Sequence, residues 1–306
     1  MQLVISLNNK NRLYDYKSMG VHTFVLGCQH SFYAPYLFNL EEIKELVEKH
    51  SDCDFYVAIN ALYDQHMMCE VEKFIEKVAM LPIKGIVFQD FGVLQIIKEH
   101  GYTFEVMYSP ETLNTNAQTL NVLHQQGVTE AFISRVIPLE EQLDICQSVK
   151  MPLMLQVHGI EYIAASKRML LTNYEEASHL HFDKDQNAGL TLLARNSDYQ
   201  LDIYEDEKGT HIFSHARLYA LDLFNQIQNF DKLYIETMMM DDEEAIEIVS
   251  LYSDALSSFE KGTYNKDVHE YMGLLYRMKT PIDRGFLFDQ TVYKLEDMRK
   301  MDDEKR

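Results

Sequence analysis

The residues of this chain best equipped for chemistry stand where short apolar runs stop: Gly27, Asn60, Gln89, Asp90, Ser109, Arg135, His158 and Glu236. Carboxylic acids and an imidazole can pass protons, so Asp90, His158 and Glu236 are the candidate acid–base residues. The amides of Asn60 and Gln89, the hydroxyl of Ser109 and the guanidinium of Arg135 suit substrate binding. Arg135 stands out because its planar fork grips a carboxylate with two parallel hydrogen bonds. Together they fit a polar pocket for an anionic organic substrate. The same residue types also have structural uses. Asp90 and Ser109 can cap helices or turns, and His158 can be a hydrogen-bonded core histidine.

The elements that must position these residues are legible from periodicity. LVISL (3–7), TFVLG (23–27), DFYVAIN (54–60), GIVFQD (85–90), TFEVMYS (103–109), EAFISR (130–135), PLMLQVHG (152–159) and KLYIET (232–237) are short, apolar and rich in β-branched residues, as strands are. Amphipathic stretches lie between them, for example LEEIKELVEKH (40–50), with Leu40, Ile43, Leu46 and Val47 on one face. Eight βα units predict an α/β fold, a (β/α)₈ TIM-barrel-like domain; an open doubly wound sheet is the alternative. In a barrel of this kind the active site lies at the C-terminal strand ends, where the polar residues fall.

The chain divides into residues 1–160 with the first seven βα units, an insertion at 161–231 between strands seven and eight, and residues 232–306 with the last unit and a C-terminal segment. One structural domain is expected overall, because there are only 6 prolines and no Gly/Ser-rich linker. Within the insertion, LDIYEDEKGTHIFS predicts a hairpin turning at Glu207–Gly209.

Composition narrows the partners. Over 306 residues, 46% hydrophobic and 25% charged side chains describe a globular protein, and no apolar run approaches the roughly 20 residues that span a bilayer. No basic-then-apolar leader opens the chain, so a cytoplasmic protein without membrane contact is expected. The formal net charge of −20 disfavours unaided binding of nucleic acid. The acidic run Asp241–Glu244 reads as a helix start and the tail MDDEKR as a frayed end.

Several chemistries lack their motifs. There is no GxGxxG, GxxxxGK[ST], HExxH or GxSxG, so a phosphate-cradling loop, a zincin site and a nucleophile elbow are unsupported. Cys28, Cys53, Cys69 and Cys146 form no CxxC pair and are expected to be reduced and buried. HLHFD at His179–Asp183 alternates two imidazoles with a carboxylate, but without a further ligand cluster a surface loop is expected and no metal site. The 16 methionines read as packing material.

Taken in order, these residues resemble peptidase family U32, the collagenase-like peptidases. Asn60 matches the asparagine closing the family's third strand, and Gln89, Asp90, Gly92 and Leu94 match "vqDlGvl". Ser109–Asn116 (SPETLNTN) is similar to "StQ…tN", which makes Asn116 a substrate-binding candidate too. Ser134–Arg135 with Leu139–Glu140 resembles "sRElsl.ei", and His158–Gly159 matches "HG". Ser166 and Arg168 match positions in "ySGrC", Arg195 and Tyr199 resemble "CR…Y", Glu236 resembles the glutamate of "KIEGRmK", and Asp283–Phe286 resembles "sRGF". The matches span nearly the whole chain.

Two departures shape what the resemblance implies. Cluster-bearing members carry a C-x6-C pair after "HG" and a further pair downstream, ligating [4Fe–4S]. Here Tyr162 and Met169 hold the first pair's positions and residues 187–195 contain no cysteine, so no cofactor is expected. Glu236 is followed by Thr237 and Met238, so the basic residues of "EGRmK" are also lost. The family name implies a protease, for which the chain offers no recognisable nucleophile–base set; Cys28 or Cys146 with His158 are pairs that can be proposed, though neither cysteine has a local motif. Relatives act in hydroxylation of tRNA uridine, ribosomal RNA or ubiquinone precursors, often as paired homologous subunits. Short members without cysteines, of about this length, resemble the first subunit of a tRNA uridine-34 hydroxylation pair. The expectation is therefore a cluster-free subunit of a wobble-uridine 5-hydroxylation system, partnered by a longer cysteine-bearing homologue and meeting tRNA only through that complex. The alternatives are a non-catalytic scaffold for such a homologue, or a collagenase-like peptidase.

Overall fold

The structure, a computed structural model, describes residues 1–111, 113–193 and 200–289. Arg195, Tyr199 and the MDDEKR tail lie outside them. Seven parallel strands run in chain order: β1 (Gln2–Ser6), β2 (Thr23–Leu26), β3 (Asp54–Ile59), β4 (Gly85–Phe88), β5 (Glu105–Tyr108), β6 (Glu130–Phe132) and β7 (Leu153–Gly159). The insertion contributes β8 (Tyr162–Ser166), β9 (Thr191–Leu193), β10 (Gln200–Asp206), β11 (Gly209–Ser214) and β12 (Arg217–Tyr219). Strand β13 (Lys232–Ile235) then pairs in parallel with both β1 and β7. That double pairing closes an eight-stranded barrel and rules out the open doubly wound sheet. A short β14 (Ile282–Asp283) lies beside β12, which is itself antiparallel to β7.

The helices are α1 (Leu13–Ser18), α2 (Leu40–Lys49), α3 (Met68–Val78), α4 (Phe91–His100), α5 (Ala117–Gln125), α6 (Leu139–Ser148), α7 (Leu170–Ser178), α8 (Phe224–Ile227), α9 (Asp242–Glu260) and α10 (Tyr264–Leu275). Several of their starts follow from capping chemistry. Asn39 and Glu42 form a reciprocal capping box on α2, and Asp241 caps α9 through the Glu244 N–H. The acidic run at 241–244 is thus a helix start.

Barrel strands are buried on both faces, which explains their nearly unbroken apolar sequences. Val4, Val25, Tyr56, Ala58, Val87, Met107, Phe132, Met154 and Tyr234 fill the interior. The alternate positions, such as Ile5, Phe24, Val57 and Ile86, join the layer beneath the helices. At the N-terminal end the barrel is floored by charge. The Lys232 ammonium donates to both Glu130 oxygens at 2.6 Å and to the Tyr56 hydroxyl at 2.8 Å. Tyr56 also donates to Glu105, which pairs with Lys84 at 3.1 Å.

The insertion folds as a four-stranded antiparallel sheet in the order β8-β11-β10-β9. Its hairpin turns between Asp206 and Gly209, as the sequence predicts. Glu205 on β10 accepts from the Leu171 and Thr172 N–H groups at 2.8 and 3.0 Å, so a carboxylate from another element caps α7. Ile160, Tyr204, Phe213 and Met238, with Tyr33 and Tyr162 against them, bond this sheet to the barrel rim. His179–Asp183 is a largely exposed stretch following α7. Among the described residues, no helix is long and apolar enough to cross a membrane.

Candidate active site at the barrel mouth

The C-terminal strand ends surround a small cavity of about 30 Å³, room for about one or two waters. It is lined from β1 by Ser6, from the loop after β2 by Gly27 and Tyr33, and from the ends of later strands by Asn60, Ser109, Arg135 and Glu236. Five of the eight residues singled out in the sequence therefore converge here: Gly27, Asn60, Ser109, Arg135 and Glu236. Polar side chains that sequence reasoning did not single out join them: Ser6, Tyr33, Glu111 and Tyr234.

Arg135 and Glu111 form a buried ion pair through one terminal nitrogen of the guanidinium. The Tyr33 hydroxyl donates to the same Glu111 oxygen at 3.0 Å. The guanidinium lies over the Phe132 ring, 5.1 Å from its centroid. The Arg135 Nε–H is buried and has no partner among the described residues. Burial pushes the Glu111 carboxyl above its ordinary range, with Arg135 acting in the opposite sense. Glu111 also sits at φ 59°, the left-handed region, a conformation that costs a non-glycine residue about 1–2 kcal/mol.

Glu236 is held more completely. Its Oε1 accepts from the Ser6 hydroxyl at 2.6 Å and the Met238 N–H at 3.0 Å, and its Oε2 from the Tyr234 hydroxyl at 3.0 Å. Ser6 in turn accepts from the Thr237 N–H at 2.8 Å. Gly159 lies at φ 108° against this segment, and a Cβ there would come within 2.1 Å of the Glu236 carbonyl oxygen. The glycine of "HG" is thus required both by its backbone angle and by the close approach of Glu236.

The remaining candidates occupy the surrounding frame. Asp90 is the N-cap of α4: one carboxylate oxygen accepts from the Gly92 N–H at 2.8 Å and the other from the Tyr63 N–H at 3.2 Å. Gln89 donates to the Asn60 carbonyl at 3.1 Å, while the Asn60 side chain accepts from the Phe32 N–H at 2.9 Å. Asn116 caps α5 through the Thr119 N–H at 2.8 Å and is exposed.

His158 faces the helix layer. The β7–β13 ladder slips by one residue, so Tyr234 opposes Gln156 but Ile235 opposes His158. A one-residue slip moves a side chain to the other face of a sheet. His158 consequently shares the outward face with Ile235 and packs edge-on against Tyr252 of α9, ring centroids 5.5 Å apart. Burial, aided by Arg217, pushes its pKa down to about 3, and its Nε2 has no partner among the described residues.

The sulfur chemistry is dispersed. Cys28 is buried, donates to the Ala58 carbonyl at 3.2 Å and is pushed up to about 11 by burial. The Cys146 thiol donates to the Asn229 carbonyl at 3.3 Å. Against the expectation of burial, Cys53 and Cys146 are only half-buried and Cys69 is exposed on α3, where its position falls off the apolar stripe formed by Val71, Phe74, Ile75 and Val78. Tyr162 is half-buried with its ring stacked on Tyr33 at 6.3 Å, and Met169 precedes α7. Neither Cys28 nor Cys146 is bonded to His158 among the described residues.

A sequence profile of peptidase family U32 matches residues 20–297. The chain belongs to peptidase family U32. This U32 member is 27% identical over 268 residues to tRNA hydroxylation protein P2 of Bacillus subtilis (strain 168), an alignment covering 84% of this chain and 87% of that protein. It is 22% identical to tRNA hydroxylation protein P1 of the same organism, over 72% of this chain and 54% of P1. It is also 25% identical to tRNA hydroxylation protein P of Escherichia coli (strain K12), over 48% of this chain and 31% of that protein. Among solved structures, the U32 peptidase Mk0906 is similar with a TM-score of 0.47 and 12% identity, covering 77% of this chain and 92% of that one.

Proposed function

We propose that this U32 member is a cluster-free subunit of a tRNA wobble-uridine 5-hydroxylation system. The observation that carries the reading is its alignment, nearly end to end, with tRNA hydroxylation protein P2. Homologues named P, P1 and P2 support a system of related subunits, and a longer cysteine-bearing homologue is the partner proposed here. The net charge of −20 favours a subunit that meets tRNA through such a partner rather than alone. A cytoplasmic setting goes with that substrate.

The donor set does not fit an iron–sulfur cluster. A phenol at Tyr162 and a thioether at Met169 cannot stand in for thiolates. Among the described residues, neither of the two groups of potential metal ligands contains more than one cysteine. Redox chemistry is accordingly assigned to the partner. In the mouth, Arg135 holds an anionic group, Asn60 and Ser109 supply hydrogen bonds, and Glu236 is the acid–base residue. Asp90, Gln89, Asn116 and His158 position the frame around them, since each is bonded or packed outside the cavity.

A non-catalytic scaffold is the second reading. It is favoured by the small cavity and by the complete hydrogen bonding of Glu236. Nucleoside mass spectrometry of total tRNA from a strain lacking the gene tests the pathway assignment. Loss of 5-hydroxyuridine derivatives, restored by complementation, is expected; an unchanged profile would remove the proposal and leave the family's peptidase label to be tested by peptide cleavage.

A further inference from the structure

We propose that the Glu111 carboxylate is a built-in stand-in for a ligand, and that the mouth takes a small carboxylic acid whose carboxylate replaces Glu111 on Arg135. The inference rests on the reading of the barrel mouth as the working site. Four observations carry it.

Arg135 is buried, and the group it holds is already a carboxylate, so the site is chemically matched to that class. Glu111 uses one terminal nitrogen and leaves the buried Nε–H unpaired. A carboxylate free of the chain can approach the guanidinium edge-on and engage two donors, which is the stronger geometry. Glu111 is also the strained member, because it holds its contact from the left-handed backbone region. Finally, the cavity beside the pair is too small for an organic acid while Glu111 stays, so binding and departure of Glu111 are one event.

Charge selects among anions. Replacing one carboxylate by another keeps the charge balance at Arg135 unchanged, and Glu236, just after β13, lines the same cavity. A phosphate dianion would add a second negative charge in a poorly solvated space, which is costly. The occupied Arg135 also lowers apparent affinity, because only the fraction of molecules with Glu111 withdrawn can bind.

The test is a titration of the full chain with acetate, pyruvate and malonate, with acetamide as the neutral analogue and inorganic phosphate as the competing anion. The readouts are the Arg135 Nε–H resonance and calorimetric affinity. Wild type is expected to bind carboxylates weakly with a shift of that resonance, and Glu111→Gln to bind them about tenfold or more tightly, the competitor's charge having been removed. Arg135→Met is expected to abolish binding, and acetamide and phosphate to leave the resonance in place. Equal affinity in wild type and Glu111→Gln, binding that survives Arg135→Met, or phosphate binding as tight as that of the carboxylates would overturn the inference. Should Glu111→Gln not fold, the wild-type resonance decides: a shift with malonate supports the inference and no shift overturns it. Loss of 5-hydroxyuridine in the deletion strain is independent of this result, so the inference can fail while the proposed function stands.

Discussion

Ser6 and Glu236 meet across the seam of the barrel: the hydroxyl at the end of the first strand donates to the carboxylate following the last at 2.6 Å. The Thr237 N–H returns a bond to the same hydroxyl at 2.8 Å, and the Thr237 hydroxyl donates to the Ser6 carbonyl at 2.7 Å. Chain closure and the shape of the mouth therefore depend on the same few atoms.

Ser6→Ala leaves a buried carboxylate one donor short and a buried N–H unpaired. A destabilisation of about 1–3 kcal/mol is expected by urea unfolding. A variant as stable as wild type would show that the seam hydroxyl contributes nothing.

At the opposite end, Lys232→Met removes the cation held by both Glu130 oxygens. Breaking a buried pair from one side costs about 3–5 kcal/mol. Lys232→Met with Glu130→Gln should recover much of that loss in a double-mutant cycle, because the stranded charge is gone. Additive effects would contradict the pairing.

His158 is neutral in the fold, at a pKa of about 3 against 6.5 for the free side chain. Between those values the unfolded chain binds the extra proton, so this group's contribution is complete above pH 6.5 and is lost as pH falls towards 3. His158→Gln should therefore flatten the acid limb of a melting-temperature profile. An unchanged acid slope would mean that His158 is already protonated in the native state.

Glu161 behaves in the opposite sense. It is buried, lies against Gly285, and is pushed up to about 8 by burial and by Asp283. Between 4.5 and about 8 the folded chain keeps a proton that the unfolded chain has released. Stability from this group is thus present at low pH and lost as pH rises through that window, by about 1.4 kcal/mol per unit. Glu161→Gln should gain stability over wild type at pH 8 and not at pH 4.5; equal effects at both would sink the assignment.

The parts of this molecule that were legible in the sequence are those governed by local rules. Strand runs ending at Asn60, Ser109, Arg135 and Glu236 identified both the barrel and half of its mouth, because alternation and βα spacing are written in residue types. Asp90 has the double meaning of any acid before a helix, and here its oxygens are engaged by backbone N–H groups. The outward turn of His158 depends on a register slip against Tyr234 and Ile235, a relation between distant strands that no local pattern encodes. Glu111 is not legible in the sequence for a related reason. Its role comes from a positive φ and from Arg135, 24 residues away, neither of which is visible in SPETLNTN.

The central claim, that the barrel mouth of this U32 member works in tRNA hydroxylation, is tested most directly in the deletion strain. The 5-hydroxyuridine content of tRNA should be measured after complementation with wild type or with Arg135→Met at matched protein levels. The account predicts restoration by wild type and none by Arg135→Met. Full restoration by Arg135→Met would contradict a working mouth and leave the chain as a scaffold.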